Sequence, residues 1–376
     1  MQTVLCQREK HFHGDKHRQP VERISVRNPY KTAVFFEDEK ITYKDLDKAT
    51  SSMAQWLLAQ GCRPGDRIAL YWPNSIELVK LLFACFKARL VALPIYTQLK
   101  AAEIAHILTQ SNAKMCFAEE QHLGIVENAA RQSEWSGTIR YSLDEAEDAV
   151  DLADAETDEP ALILYTSGTT ALPKGVTHTH RTLQEEVKIL CSTAPDSYHT
   201  VLMTTPMAYI SGIGAGLLPA MALGSSVVVM PHMEAALALD LIEKHQCSFT
   251  LAPPPLAQFM VEEQASRPRI VRSLGAFLVA GDSVPAGLQE RSETVFNTRI
   301  REAYGMTEAA PISFNSDHDY RTGSLGKVVE GVEVRLVDTE GKDVPNGQSG
   351  EIIVRSPSSF IGYWGQSQGN LRDAAG

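Results

Sequence analysis

The chain has 376 residues, 44% of them hydrophobic and 22% charged, with a formal net charge of −11. This is the composition of a globular protein with a large core, which excludes disordered and fibrous classes, and at roughly 150 residues per domain it predicts two or three structural units. No basic run supports nucleic-acid binding, and the negative charge is local: residues 144–159 carry nine acids and no basic residue, as in a solvated connector.

Residues 1–24 read as a polar, His-rich tail (His11, His13, His17) with no apolar signal-peptide core. Thr32–Phe36 and Lys40–Tyr43 flank a turn and predict a hairpin. Helical spacing over Asp45–Leu58 is followed by Gly61, then by the strand Arg67–Tyr71. Asn74-Ser75 opens an apolar helix to Phe86, and Leu90–Ile95 reads as a strand. Glu103–Ser111 is a helix and Lys114–Ala118 a strand. The alternation resumes with helix Thr182–Leu190, strand Thr200–Thr204, helix Ile210–Leu223 and strand Ser226–Met230. Helix Glu234–His245, strand Phe249–Ala252, strand Ala276–Ala280 and helix Pro285–Thr294 follow, leading into Ile300–Gly305. Such alternation predicts an α/β fold of layered, largely parallel sheets flanked by helices. After residue 322 period-two alternation (Val332–Val337, Glu351–Arg355) predicts a small antiparallel, barrel-like subdomain. The expected organisation is therefore a tail (1–24), an α/β core of two intertwined sheet units (25–321) and a β subdomain (322–376).

The stretch 200–231 contains no charged residue, but Pro206, Pro219, Gly212, Gly214, Gly216 and the Gly224-Ser225-Ser226 break interrupt it, so a membrane span is not expected. Six cysteines (6, 62, 85, 116, 191, 247) are scattered without a C-x-x-C pair, which fits free thiols in a reducing, cytoplasmic setting.

Residues 165–175, Tyr-Thr-Ser-Gly-Thr-Thr-Ala-Leu-Pro-Lys-Gly, follow the apolar run Ala161–Leu164. Hydroxyls, amides freed by Gly168 and Gly175, and the Lys174 charge are chemistry suited to a polyphosphate. The spacing is not that of a Walker loop, because Pro173 stands where glycine precedes the lysine and Gly175 where a Mg²⁺-binding hydroxyl follows it. Taken alone, the loop also fits a Ser/Thr/Gly-rich surface linker. His178-x-His180 lies just beyond it and invites a metal reading, although zinc is not expected there.

Together, Tyr165–Gly175 and Tyr304-Gly305-Met306-Thr307-Glu308 resemble the superfamily of adenylate-forming enzymes, which includes acyl- and aryl-CoA synthetases, adenylation domains and luciferases. Lesser matches are Ile41–Leu46, Gly65–Arg67 with Pro73–Ser75, Gly281–Pro285, and Gly350-Glu351 with Gly362-Tyr363. The resemblance runs from about residue 25 to the end. It implies ATP-dependent activation of a carboxylic acid, of which a fatty acid is expected ahead of an aryl acid, to an acyl-adenylate. Transfer follows, to coenzyme A or to a carrier-protein phosphopantetheine. It implies phosphate contacts from Thr166, Ser167, Gly168, Thr169, Thr170 and Lys174. Mg²⁺ falls to Thr166 and Glu308, the α-phosphate to Thr307, and the adenine to Gly281, Asp282, Ser283, Tyr304, Gly305 and Met306. Lys174, Thr307 and Glu308 are the implied catalytic set. Each position has a plainer reading as well: Thr307-Glu308 as a helix start, Tyr304 as core, Asp282 as a turn acid.

Pro206–Gly212 matches the superfamily's substrate-side motif, with Tyr209, Gly212 and Gly281 as the implied substrate contacts. Tyr209 stands where amino-acid-activating relatives carry an aspartate, so an acid with an uncharged tail is expected. The glycines at 212, 214 and 216 fit either an open channel or tight helix packing. No oligomeric state is implied. The chain ends at Gly376, before the ribose-binding aspartate and the C-terminal lid domain that relatives carry, so weak adenylation by these residues alone is expected. A degenerate nucleotide-binding module is the non-enzymatic alternative.

Overall fold

Strands buried on both faces explain why so many segments read as unbroken apolar runs. In the computed structural model, which describes residues 20–143, 152, 157–166, 172–193, 198–316 and 319–366, successive residues of a strand enter different apolar clusters. Along β9 (Thr200–Met203), Val201 and Met203 join the main inter-sheet core while Leu202 joins a second cluster. β10 (Ser226–Val229) and β12 (Ala276–Ala280) divide the same way. In β3 (Arg67–Tyr71), Ile68 and Leu70 face the main core and Ala69 and Tyr71 a third cluster. Period-two geometry thus sorts apolar side chains between two buried faces rather than between core and water.

Among the described residues the strands form three sheets. One has nine strands in the order β15 (Lys327–Val328), β14 (Ala309–Phe314), β13 (Ile300–Met306), β12, β11 (Phe249–Ala252), β9, β10, β1 (Thr32–Phe36), β2 (Glu39–Thr42). It is parallel from β13 to β1 and antiparallel at both edges. The second has seven strands, β18 (Gly362–Tyr363), β8 (Lys174–Thr179), β7 (Pro160–Thr166), β4 (Val91–Pro94), β3, β5 (Met115–Ala118), β6 (Thr138–Arg140). The third pairs β16 (Glu333–Val337) with β17 (Glu351–Arg355).

Helices α2 (Tyr43–Ala59), α3 (Ile76–Lys87), α6 (His180–Thr193) and α7 fill the space between the two large sheets. α7 is one helical run of three pieces: Ile210–Gly212, a π-helical turn Ile213–Leu217, and Leu218–Leu223. α8 (Ala235–His245), α9 (Pro254–Ser266) and α10 (Leu288–Phe296) cover the outer face of the nine-stranded sheet. α4 (Ala101–Ser111) and α5 (Leu123–Arg131) cover that of the seven-stranded sheet. Capping sets the starts of α2 and α3, where Thr42 and Ser75 hydroxyls accept from the amides of Asp45 (3.1 Å) and Leu78 (3.2 Å).

The α/β layering predicted from the alternation is present, with corrections. The sequence pattern gave no sign of α5, β6, α9 or β14. The proline triplet 253–255, which follows β11 directly, opens α9, where Pro254 and Pro255 occupy the first turn and need no amide partner. The tail does not extend to residue 24: Pro20–Arg27 is a helix, α1, whose Ile24 is buried in the main core. The residues after 322 do not form a barrel of their own. β15 extends the nine-stranded sheet, β18 extends the seven-stranded sheet, and only β16 and β17 pair separately. The end of the acidic stretch is anchored rather than free, Asp158 pairing with Arg181 at 2.6 Å and Glu159 with Arg89. Cys62, Cys85, Cys116, Cys191 and Cys247 are buried and unbridged, as expected; Cys6 lies outside the described residues. No helix among the described residues is long and apolar enough to cross a membrane.

Candidate functional site

The loop singled out in the sequence joins the antiparallel strands β7 and β8, and Thr166 and Lys174 pair across its base. Ser167, Gly168, Thr169 and Thr170 lie outside the described residues. The base is braced from α4: the Tyr165 hydroxyl bonds Gln110, and His106 Nε2 lies 3.1 Å from the Pro173 carbonyl. Gly175 is required by close approach, since a Cβ there would sit 2.8 Å from Ile163 Cγ2.

The second motif lies at the tip of the β13–β14 hairpin. Met306 pairs with Ala309, so Thr307 and Glu308 form a two-residue turn, and the pairing shifts register between Tyr304 and Met306. The helix-start reading of Thr307-Glu308 is therefore overturned. Three bonds hold the tip against the other sheet. His178, buried in β8, contacts the Thr307 carbonyl through Nε2 at 2.8 Å and Thr182 Oγ1 through Nδ1 at 3.2 Å. Burial lowers the His178 pKa, so the neutral ring donates from Nε2 and accepts at Nδ1. The Phe360 amide donates to the Glu308 carbonyl (2.8 Å), and the Tyr363 hydroxyl donates to Glu308 Oε1 (2.8 Å).

Tyr363 brings the two motifs together. Its ring lies 5.3 Å from Lys174 Nζ while its hydroxyl holds Glu308. Burial and the neighbouring Glu308 carboxylate push its pKa up to about 12, so it is a fixed donor at neutral pH. The sequence reading flagged Gly362-Tyr363 only as a lesser match and assigned no role to Tyr363 or His178. The His178-x-His180 pair makes no metal site: His178 is committed to Thr307, and no group of three potential ligands exists among the described residues.

Ala280 and Ala303 pair across β12 and β13, so Gly281 and Tyr304 follow side by side at the carboxyl ends of parallel strands. Gly281 takes φ +102°, a conformation that favours glycine, and nothing lies within 4 Å of where a Cβ would be. Asp282 Oδ1 accepts from the Ser283 amide at 2.7 Å, which closes the turn. Tyr304 is half-buried against Ala309 and Ile312.

The substrate-side motif begins where β9 ends. Asn74 ties the sheets together there, accepting from the Met207 amide (2.9 Å) and donating to the Met230 carbonyl (3.2 Å). Tyr209 precedes α7, 41% exposed, with its ring 5.3 Å from that of Tyr96. A cleft of about 210 Å³ opens beside it, lined in part by Tyr96, Thr204, Pro206 and Ala208. The glycines of α7 serve tight packing. A Cβ at Gly212 would lie 2.3 Å from the Pro206 carbonyl oxygen, and one at Gly214 would lie 2.2 Å from Glu186 Oε1. The wall that lacks acids in sequence between 200 and 231 therefore receives one from α6. Glu186 was missed, although an acid on the apolar stripe Leu183, Glu186, Val187, Leu190 was the available signal.

Residues 21–364 match the family described as AMP-binding enzyme. A feruloyl-CoA synthase from Amycolatopsis sp is 31% identical over 361 residues, covering 94% of this chain and 73% of the relative. A medium-chain fatty-acid–CoA ligase from Escherichia coli (strain K12) is 27% identical, covering 87% of this chain and 62% of the relative. Among solved structures, an anthranilate CoA ligase in complex with anthranoyl-AMP superimposes with a TM-score of 0.87 at 24% identity, covering 93% of this chain and 72% of that one, a likeness of fold. The chain belongs to the AMP-binding enzyme family.

Proposed function

We propose that this member of the AMP-binding enzyme family activates a carboxylic acid with ATP and passes the acyl group to the thiol of coenzyme A. The acid's carboxylate oxygen attacks the α-phosphorus and pyrophosphate leaves. The thiolate sulfur then attacks the acyl carbonyl and AMP leaves with the bonding pair. The observation that carries this reading is the juxtaposition of Lys174, Tyr363 and Glu308, a cation over the ring and a carboxylate on the hydroxyl of a single tyrosine.

The donor chemistry fits both the nucleotide and its metal. Lys174 supplies a point charge for the β- and γ-phosphates. Thr166 and Glu308 offer the oxygen ligands that a hard divalent cation takes, and bound Mg²⁺ would neutralise polyphosphate charge. Tyr363 fixes the orientation of the Glu308 carboxylate. The open space over Gly281 leaves room for a base edge against backbone, beside the Tyr304 ring. Thr307, whose backbone His178 restrains, presents its hydroxyl at the same hairpin tip. Tyr209 and the adjoining cleft fit the acyl side.

The test is carboxylate-dependent pyrophosphate release across a panel of alkyl and aryl acids, followed by CoA-dependent thioester formation. Both are expected for at least one acid class. Calorimetry that detects no ATP binding, together with no release for any acid, overturns the reading.

A further inference from the structure

Gln110 lies half-buried in the last turn of α4, over the outer face of the seven-stranded sheet. The Tyr165 hydroxyl donates to Gln110 Oε1, and Gln110 Nε2 donates to the Trp364 carbonyl at 2.6 Å. The Trp364 carbonyl can only accept, so the amide NH₂ faces it and the amide oxygen faces the hydroxyl. Burial raises the Tyr165 pKa, which keeps that hydroxyl protonated. Tyr165 belongs to β7 and Trp364 follows β18, and β8 lies between these two strands. The Tyr165 ring crosses β8 at Gly175, its cross-strand partner, where a Cβ would lie 3.1 Å from Tyr165 Cζ. Tyrosine and glutamine together form a strap across three strands. His106, four residues earlier and so on the same face of α4, contacts the Pro173 carbonyl, so this face grips both sides of the phosphate loop.

The strap ends beside the residue that joins the two motifs. Tyr363 precedes Trp364; its ring lies near Lys174 and its hydroxyl holds Glu308. β18 is two residues long, pairing Gly362 with Thr177 and Tyr363 with Val176. So short a strand has few ladder bonds to hold its position, and tethers at its ends carry more of that task. At the Trp364 end the backbone amide donates to the Gly175 carbonyl (2.7 Å), and the Arg67 guanidinium lies 5.3 Å from the indole ring. Arg67 also donates to the Ser111 and Asn112 carbonyls, each at 2.8 Å, so Trp364 and the C-terminal end of α4 share an anchor.

We propose that Gln110 is a positioning residue for the ATP site: its amide fixes the place of β18 and, through Tyr363, the spacing between the Lys174 charge and the Glu308 carboxylate. The inference rests on the acid-activating reading given above. Gln110 acts through Tyr363 rather than on a reacting atom. It holds ready the spacing that a metal-bound triphosphate has to bridge, so the ligand need not pay to set it. Both ends of the amide are required. Gln110→Glu keeps an acceptor for Tyr165 but sets an oxygen against the Trp364 carbonyl, and Gln110→Met fills similar space while making neither bond.

The test is calorimetric binding of magnesium–ATP to the 376-residue chain and its variants, each held well below its own melting temperature. Gln110→Met and Gln110→Glu are each expected to weaken binding about ten-fold. In a Tyr363→Ala background the same replacements should cost less than about two-fold, because the side chain through which Gln110 acts is gone. Tyr165→Phe, which cuts the strap but leaves the Trp364 bond, should weaken binding by about two- to three-fold, less than either Gln110 variant. A glutamine that only stabilises the fold would lower the melting temperature and leave the affinity of the folded chain unchanged, and that result overturns the proposal. So does an equal loss with and without the Tyr363 side chain. If one Gln110 variant does not fold, the other decides; if neither folds, an affinity unchanged in Tyr165→Phe overturns the proposal and the two- to three-fold loss supports it. Absence of magnesium–ATP binding by the unaltered chain sinks the acid-activating reading itself, whereas binding that the variants match sinks this inference alone.

Discussion

Glu308 and Glu186 put the same side chain in opposite environments. At the phosphate end, Glu308 is fixed before any ligand arrives: Tyr363 holds its carboxylate and the Phe360 amide its carbonyl. Between α6 and α7, Glu186 is buried against Gly214 with both oxygens unpartnered among the described residues. Glu308 is oriented by partners and keeps its charge available for a cation. Glu186 is kept neutral by burial and its hydrogen bonds are left open. A partnered carboxylate is preorganised for charge, whereas burial without a partner holds a carboxyl neutral.

The comparison can be broken at either end. Lys174→Ala is expected to have the largest effect, lowering pyrophosphate release roughly 10²- to 10³-fold, as for removal of a preorganised charge stabiliser. The melting temperature of the unliganded chain should hardly move, because among the described residues the Lys174 side chain makes only a ring contact with Tyr363. A large loss of stability would show that the lysine is structural. At the other end, Gly214→Ala forces a Cβ to within 2.2 Å of Glu186 Oε1. It should destabilise by about 1–3 kcal/mol in denaturant titration. The Glu186→Ala/Gly214→Ala double variant should recover part of that loss, and strict additivity would refute the contact's role.

Acid sharpens the comparison. His180 is buried against Phe86, and burial lowers its pKa to about 4. The unfolded histidine titrates near 6.5, so between about 6.5 and 4 the unfolded state binds more protons and stability falls as pH falls. The loss should be on the order of 3 kcal/mol by pH 4, and His180→Gln should flatten it in pH-dependent melts. Glu186 runs in the opposite sense. Its raised pKa means the unfolded state releases its proton first, so its contribution to stability declines as pH rises above the ordinary carboxylate range. The smallest effect is expected for Tyr363→Phe, which keeps the ring near Lys174 and removes the hydroxyl. A loss of about 1 kcal/mol, five- to ten-fold in activity, fits one charge-assisted hydrogen bond. An unchanged rate would mean Glu308 needs no holding.

The phosphate end was legible in the sequence because its chemistry is concentrated in two short motifs, 165–175 and 304–308. The strands around it were legible because continuous apolar runs bounded by turn residues have few alternative structures. Tyr363 was harder, since a two-residue edge strand has no periodicity, and its contacts reach 55 residues back to Glu308. α9 was hidden by its own prolines, which punctuate a strand and start a helix with the same letters. Glu186 was missed because attention to charge followed the segment 200–231, whereas burial there is completed by a neighbouring helix. The π-turn at Ile213–Leu217 left no mark beyond its glycines, which packing and channel readings explained equally well.

The seating of the hairpin tip has a mechanical side. Lys174 belongs to the seven-stranded sheet and Glu308 to the nine-stranded one, and His178, Phe360 and Tyr363 are fasteners across the joint. A molecule gripping both residues becomes one more fastener, and neither sheet can peel away without releasing it. Occupancy should therefore slow amide exchange in both sheets together, with a gain set by ligand concentration over its dissociation constant.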